Sequence, residues 1–253
     1  MNIYSIFQQT DRLRISDGAI VPILSGCDAA RHLLIIVCPQ LGDFDSLEYA
    51  WWLQRERAQL AAQGCDVRMI GIGDRAAGLK FCEFTGFPTG SLFIDREAKL
   101  HTQLDLYPGL SISQNAWVNL MLMCAGIGSP GTLREVLRGY TGDRSAPQLI
   151  AADETVAAKP LPPIRGSFFD VAGGSGFQRP FELATLRLRN MAEVLGNWST
   201  YVPDPSYLTQ RGGTFLFAPD RALVYAHRDR GILGFAANMS QPLAFLAKYR
   251  ADK

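Results

Sequence analysis

Lysine is scarce in this 253-residue chain, at five positions, and histidine scarcer still at three. The net charge is only +1, from 25 basic and 24 acidic side chains. That balance argues against a nucleic-acid binder, which carries a basic excess or patch. No CxxC occurs among the five cysteines, Cys27, Cys38, Cys65, Cys82 and Cys124. Their odd number and wide gaps exclude a disulfide framework, and no Cys/His group has zinc spacing. Five free thiols suit a reducing, cytoplasmic compartment. Met1 to Phe7 lacks the basic start, apolar run and small-residue cleavage site of a signal peptide, and is expected as a first strand. The longest charge-free segment, Leu106 to Leu133, includes Pro108, Ser111, Ser113, Gln114, Asn115 and Asn119. It is too polar for a span of about 20 apolar residues. A buried or partner-facing helix is expected there, with peripheral membrane association as the other use of such a segment. His32 and His101 are isolated, so a hydrolase triad has no support. No cofactor is implied.

Hydrophobic residues make up 47% of the chain, enough for a substantial core. Short strands are expected over Ile3–Gln8, Arg12–Ile15 and Ala19–Leu24, with Ser16-Asp17-Gly18 as a turn. The apolar run Leu33 to Cys38 fits a central strand covered on both faces. A helix from about Asp45 to Gln63 follows, with Asp45 and Glu48 as a capping box and Gly64 as the stop. Val67–Ile72 is the next strand, and Asp74 caps a helix running to Thr85 and closed by Gly86. Two strands joined by a helix require a parallel pair and hence an α/β sheet. Ser91–Asp95 and Lys99–Leu104 then continue the strand pattern.

The pattern changes after Gly109. Thr132 and Glu135 predict a capped helix from Leu133 to Tyr140. The Ala- and Pro-rich stretch Ala146 to Gly166 reads as an extended surface loop, and Gly173-Gly174-Ser175-Gly176 as a flexible tract. A helix is expected over Phe181–Asn197, a hairpin over Gly213–Ala218 and Ala222–His227, and a helix over Ser240–Tyr249. Gly71-Ile72-Gly73 imitates a dinucleotide loop, but Ala76 stands where its third glycine would fall. His227-Arg228-Asp229-Arg230 reads as a solvated hairpin end or an anion-binding edge.

Strand, loop, long helix, strand and helix, followed by Phe87-Pro88-Thr89, is the element order of a thioredoxin fold. Carried by Pro39–Ala50, Gly71-Ile72-Gly73, Thr85-Gly86-Phe87-Pro88, Gly212–Phe215 and Tyr225–Arg230, the chain resembles the peroxiredoxin-like antioxidant group of alkyl hydroperoxide reductase and thiol-specific antioxidant relatives. The likeness is to its cyanobacterial and plastid-type branch and covers residues 33–107 and 211–236. It implies an α/β, thioredoxin-like three-layer fold with a central mixed sheet and a large, mostly helical insertion before the C-terminal hairpin. The corresponding organisation is N-terminal strands over 1–32, the thioredoxin-like domain over 33–109 and 210–253, and the insertion over 110–209.

The resemblance also implies thiol redox chemistry. In that fold the reactive cysteine sits at a helix N-terminus, where backbone N–H groups and the helix dipole stabilise a thiolate. Here that position falls on Gly42, Asp43, Phe44 and Asp45, which hold no sulfur. Cys38 is the nearest thiol, either a lone peroxide-reactive group or a buried strand cysteine. Pro88 corresponds to the proline that faces the active-site loop in thioredoxin-fold proteins. Two functions follow. One is an antioxidant oxidoreductase acting through Cys38, with electrons from a small thiol or thioredoxin. The other is a non-catalytic binding or assembly protein that docks a protein partner, a photosynthetic complex by analogy with the branch, through its insertion. Trp117, Met121, Met123 and Trp198 are the candidate docking residues.

Overall fold

The computed structural model describes residues 2–158 and 161–249. Its centre is a seven-stranded mixed sheet in the order β2-β1-β5-β4-β3-β8-β9. The strands are β1 (Asp11–Arg14), β2 (Ile20–Pro22), β3 (His32–Gln40), β4 (Cys65–Ile72), β5 (Leu92–Ile94), β8 (Gly213–Phe217) and β9 (Leu223–Arg228). β6 (Thr155–Val156) and β7 (Ile164–Arg165) form a separate antiparallel hairpin. β3, β4 and β5 run parallel, while β8 lies antiparallel against the other side of β3, with Val37 opposite Gly213. The architecture is thioredoxin-like.

β3 is buried along nearly its whole length, and its side chains divide by the two-residue strand period. Leu34, Ile36 and Cys38 enter one core, and Leu33, Ile35 and Val37 the other. The second core is closed by α1 (Ile3–Gln8), whose Phe7 packs edge-on against Phe215 and Phe217. The expected first strand is therefore a helix, because the Asn2 side chain caps it at Tyr4 N and its apolar side chains meet the sheet face. The first core lies under α2 (Phe44–Arg55), α3 (Arg57–Ala62) and α4 (Arg75–Thr85). The single helix expected over 45–63 breaks at Glu56, and Asp43, not Asp45, is its N-cap. Asp74 and Gly86 cap α4 as expected, Gly86 in the left-handed region at φ 73°. Lys99–Gln103 is a helix, α5, rather than a strand. Gly71 has a packing role: a Cβ there would stand 2.4 Å from Leu41 Cδ2.

Residues 110–209 supply α6 (Ala116–Cys124), α7 (Thr132–Thr141), α8 (Ser167–Gly173), α9 (Glu182–Gly196) and α10 (Trp198–Tyr201). α9 packs on α2, α10 packs on α4, and Leu149, Ile150, Val156, Leu183, Leu186, Val194 and Tyr201 belong to the first core. The Ala146–Gly166 stretch is thus partly buried rather than a surface loop, held where Glu182 accepts from the N–H groups of Leu149 and Ile150. Lys159 and Pro160 of that stretch, and the chain ends at Met1 and 250–253, lie outside the described residues. The C-terminal helix expected over 240–249 reduces to a short 3₁₀ segment, Ala244–Tyr249. The two ends of 110–209 meet. Arg211 N donates to Tyr107 O at 2.8 Å, Thr209 Oγ1 donates to Pro108 O at 3.1 Å, and a Cβ on Gly109 would stand 2.1 Å from Thr209 O.

α7 is folded inside out. Its inward residues are Thr132, Glu135, Arg138 and Gly139, with Arg138 paired to Glu135 at 2.7 Å. Leu133, Val136, Leu137 and Tyr140, spaced along one helical stripe, face outward. Gly131 takes its N-cap position, and the Thr132 hydroxyl donates instead to Ile232 O.

Candidate functional site

The end of β3 delivers Asp43, Phe44 and Asp45 to the start of α2. Asp43 Oδ1 accepts from Asp45 N at 2.9 Å, and Ser46 Oγ donates to Gln40 O at 2.8 Å. A Cβ on Gly42 would come within 2.8 Å of Tyr201 Cβ, so α10 presses directly on this turn. β8 pairs antiparallel with β3, which brings Arg211, two residues before β8, to the same place. β9 returns alongside and places Asp229 next to it, where Asp229 N donates to Gly212 O at 3.0 Å.

The result is a buried charge cluster. Arg211 is fully buried, donates to the Asp43 carboxylate and Thr209 O, and stands 3.4 Å from Asp45 Oδ2. Burial opposes the guanidinium charge, but Asp43 and Asp45 outweigh it and raise the Arg211 pKa. Both Asp45 oxygens accept from Leu233 N at 2.9 Å. Burial, then the neighbouring Asp43 charge, pushes Asp45 well above the usual carboxylate range despite Arg211. Asp229 Oδ2 accepts from Gly212 N at 3.2 Å, whereas its buried Oδ1 has no hydrogen-bond partner among the described residues. Burial pushes Asp229 up to about 8. One buried arginine does not balance three carboxylates, so Asp45 and Asp229 retain protons that exposed carboxyls would lose.

Cys38 points from β3 into the first core and is 2% exposed. It borders a void of about 10 Å³ shared with Asp45, Ser46, Tyr49, Thr214 and Asp229, near the lower limit for one water. Burial pushes its thiol pKa well up, only partly opposed by Ser46. Cys65 and Cys82 are likewise pushed up to about 12 by burial. Cys27 is half-buried, and Cys124 is the exposed cysteine.

Pro88 does not face the start of α2. It precedes β5, which runs parallel to β4 and β3, and so lies at the opposite end of the sheet, beside Arg57, Cys65 and Phe87. Arg211 holds the place expected for it, because β8 is the strand that runs back toward the loop. Trp117 and Trp198 come together in a stack with ring centroids 4.8 Å apart, and Met121 is exposed. Met123 is fully buried against Ile232 and Leu233, so it contributes to packing and not to the outer face.

The AhpC/TSA antioxidant enzyme family model matches residues 52–231. The chain belongs to this family. No curated protein matches it. In this family member the match includes Arg211 and Asp229 but begins beyond Cys38 and the Asp43–Asp45 turn. Arg211 and Asp229 escape a sequence reading because a buried ion cluster has no spacing of its own. The available signal was a charged residue directly before Gly212-Gly213-Thr214-Phe215, a strand otherwise wholly buried.

Proposed function

We propose that this member of the AhpC/TSA family is a non-catalytic thioredoxin-fold binding protein that docks a protein partner through residues 110–209. The observation that carries this reading is the replacement of a helix-start thiol by the Asp43–Asp45–Arg211 cluster. A thiolate is the attacking species in peroxide and disulfide chemistry, and burial keeps Cys38 in its neutral thiol form. The inverted face of α7 supplies the second half. Among the described residues, fifteen of the eighteen exposed large apolar side chains lie within 110–209. Trp, Tyr, Phe and Met are the side chains enriched at protein interfaces, and Trp117, Met121 and Tyr140 present them on adjoining helices, with Leu133 and Leu137 exposed beside them. The same segment carries eight basic and eight acidic residues, no net attraction for an anionic lipid surface. Nothing in this face selects a photosynthetic complex over another protein, so the partner is defined as one offering an apolar patch.

The test has two arms. Wild type and Cys38→Ser are mixed with hydrogen peroxide and a small thiol or thioredoxin; neither should consume peroxide above the protein-free rate, and consumption abolished by Cys38→Ser would restore the enzyme reading. Affinity capture should recover a stoichiometric protein with wild type that Leu133→Asp/Leu137→Asp loses while keeping its circular dichroism spectrum. Equal capture by both proteins refutes docking through α7. Sedimentation with anionic vesicles, lost in the same variant, would reassign the face to a membrane surface.

A further inference from the structure

A cavity of about 410 Å³ opens over the start of α2, between α7 and α9. Phe44, Val136, Tyr140, Phe181, Leu188 and Met191 give it mostly apolar walls. Its polar side chains are already engaged. Thr132 Oγ1 donates to Ile232 O at 2.7 Å and Thr185 Oγ1 to Phe181 O at 2.9 Å. Arg187 is committed to Glu48, at 2.7 and 3.2 Å, and to Glu135 O at 2.7 Å. Cys124 and the Tyr140 hydroxyl are the remaining polar groups on the wall, and burial raises the Cys124 pKa, so it presents a neutral thiol. Such a surface offers no free counter-charge to a ligand head group, and one neutral hydroxyl, that of Tyr140, beside mostly apolar walls.

Among the described residues, two of the five non-glycine positions with positive φ, Phe181 at 64° and Leu233 at 58°, line this one cavity. Bulky side chains seldom adopt that backbone region, and such outliers gather where a fold shapes a ligand site. The left-handed turn at Phe181 sets its ring at the mouth, edge-on to Tyr140 at 6.0 Å. The turn at Leu233 is held by the Asp45 carboxylate, so the vacated helix start has become part of the cavity's support.

We infer that this cavity binds an uncharged hydrocarbon ligand, a small molecule with an acyl chain or fused rings. Size argues for a free molecule over a partner's side chain: an engineered cavity of about 150 Å³ already accommodates benzene, the bulk of a phenylalanine ring. Some hundreds of Å³ is the range of small-molecule pockets. Val136 and Tyr140 of the α7 stripe line the cavity, whereas Leu133 and Leu137 lie outside it, so substitutions at the latter pair separate ligand binding from protein docking.

N-phenyl-1-naphthylamine, an uncharged two-ring probe that brightens in apolar surroundings, tests it on the full chain. Saturable one-site binding is expected, displaced by dodecanol. Ala184→Trp fills the cavity from α9 and Met191→Trp fills it from the rim; whichever variant keeps the wild-type melting curve should bind the probe about tenfold or more weakly. Bound probe should also slow alkylation of Cys124 by N-ethylmaleimide, while Cys124→Ser still binds it. Leu133→Asp/Leu137→Asp should retain the probe whatever happens to protein capture. Absence of saturable binding, unchanged binding in a folded filling variant, or loss of the probe in the Leu133/Leu137 variant would overturn the inference.

Discussion

Replacing Asp229 with Asn should flatten the alkaline side of the stability profile. In the unfolded chain Asp229 ionises near its ordinary value of 3.8, whereas in the folded protein it holds its proton up to about 8. Across that interval the folded state binds one proton more than the unfolded state, so stability falls by about 1.4 kcal/mol per pH unit. The contribution is complete below the unfolded value and is lost as pH rises through the folded one. From pH 6 to pH 8 the loss is about 2 kcal/mol, because the slope halves at the folded pKa, roughly a 4–8 °C fall in Tm for a chain of this size. Asn keeps an oxygen for Gly212 N–H and has no proton to lose. Thermal melts of both proteins at matched pH steps provide the assay, and their difference cancels every group that titrates alike in each. The variant should gain on wild type steadily between pH 6 and pH 8. Parallel curves would show that Asp229 is ionised in the folded state and would refute the account of the cluster.

Arg211→Met leaves Asp43 and Asp45 without their buried cation and should cost about 3–5 kcal/mol in urea denaturation; a loss under about 1 kcal/mol would mean that the site is wet. Gly109→Ala places a Cβ against Thr209 O at φ 87° and should cost about 2 kcal/mol or more, read as a lowered urea midpoint. Labelling with 5,5′-dithiobis(2-nitrobenzoic acid) should proceed at Cys124 first and at Cys38 only on unfolding, followed by peptide mapping; early modification of Cys38 would contradict its burial.

The central sheet was legible because its strands are short apolar runs and its helices carry capping signals such as Asp74 with Gly86. Ile3–Gln8 misled because six residues, apolar at Ile3, Tyr4, Ile6 and Phe7, are too few to separate a strand from a half-buried helix, and the Asn2 cap decides between them only in the presence of a sheet face. Ala146–Gly166 misled because its buried residues are anchored by Glu182, a partner some thirty positions away. The absence of sulfur at the α2 start was visible in the sequence. What fills the gap was not, since Arg211 and Asp229 reach Asp43 and Asp45 only through strand pairing between distant segments. Met121 and Met123 show the same limit: two positions apart on one helix, they point to solvent and to the core.

The junction where Tyr107–Gly109 meets Thr209–Arg211 closes a hundred-residue excursion on a few backbone bonds. Because closure entropy rises only with the logarithm of loop length, the stem itself sets little limit on the excursion's length; the limit comes from α9 and α10, whose residues fill the first core. The stem also makes Arg211 a fulcrum. The same side chain ends the excursion and braces the carboxylates at α2, so a load applied to 110–209 is felt at Asp43 and Asp45 without crossing the sheet.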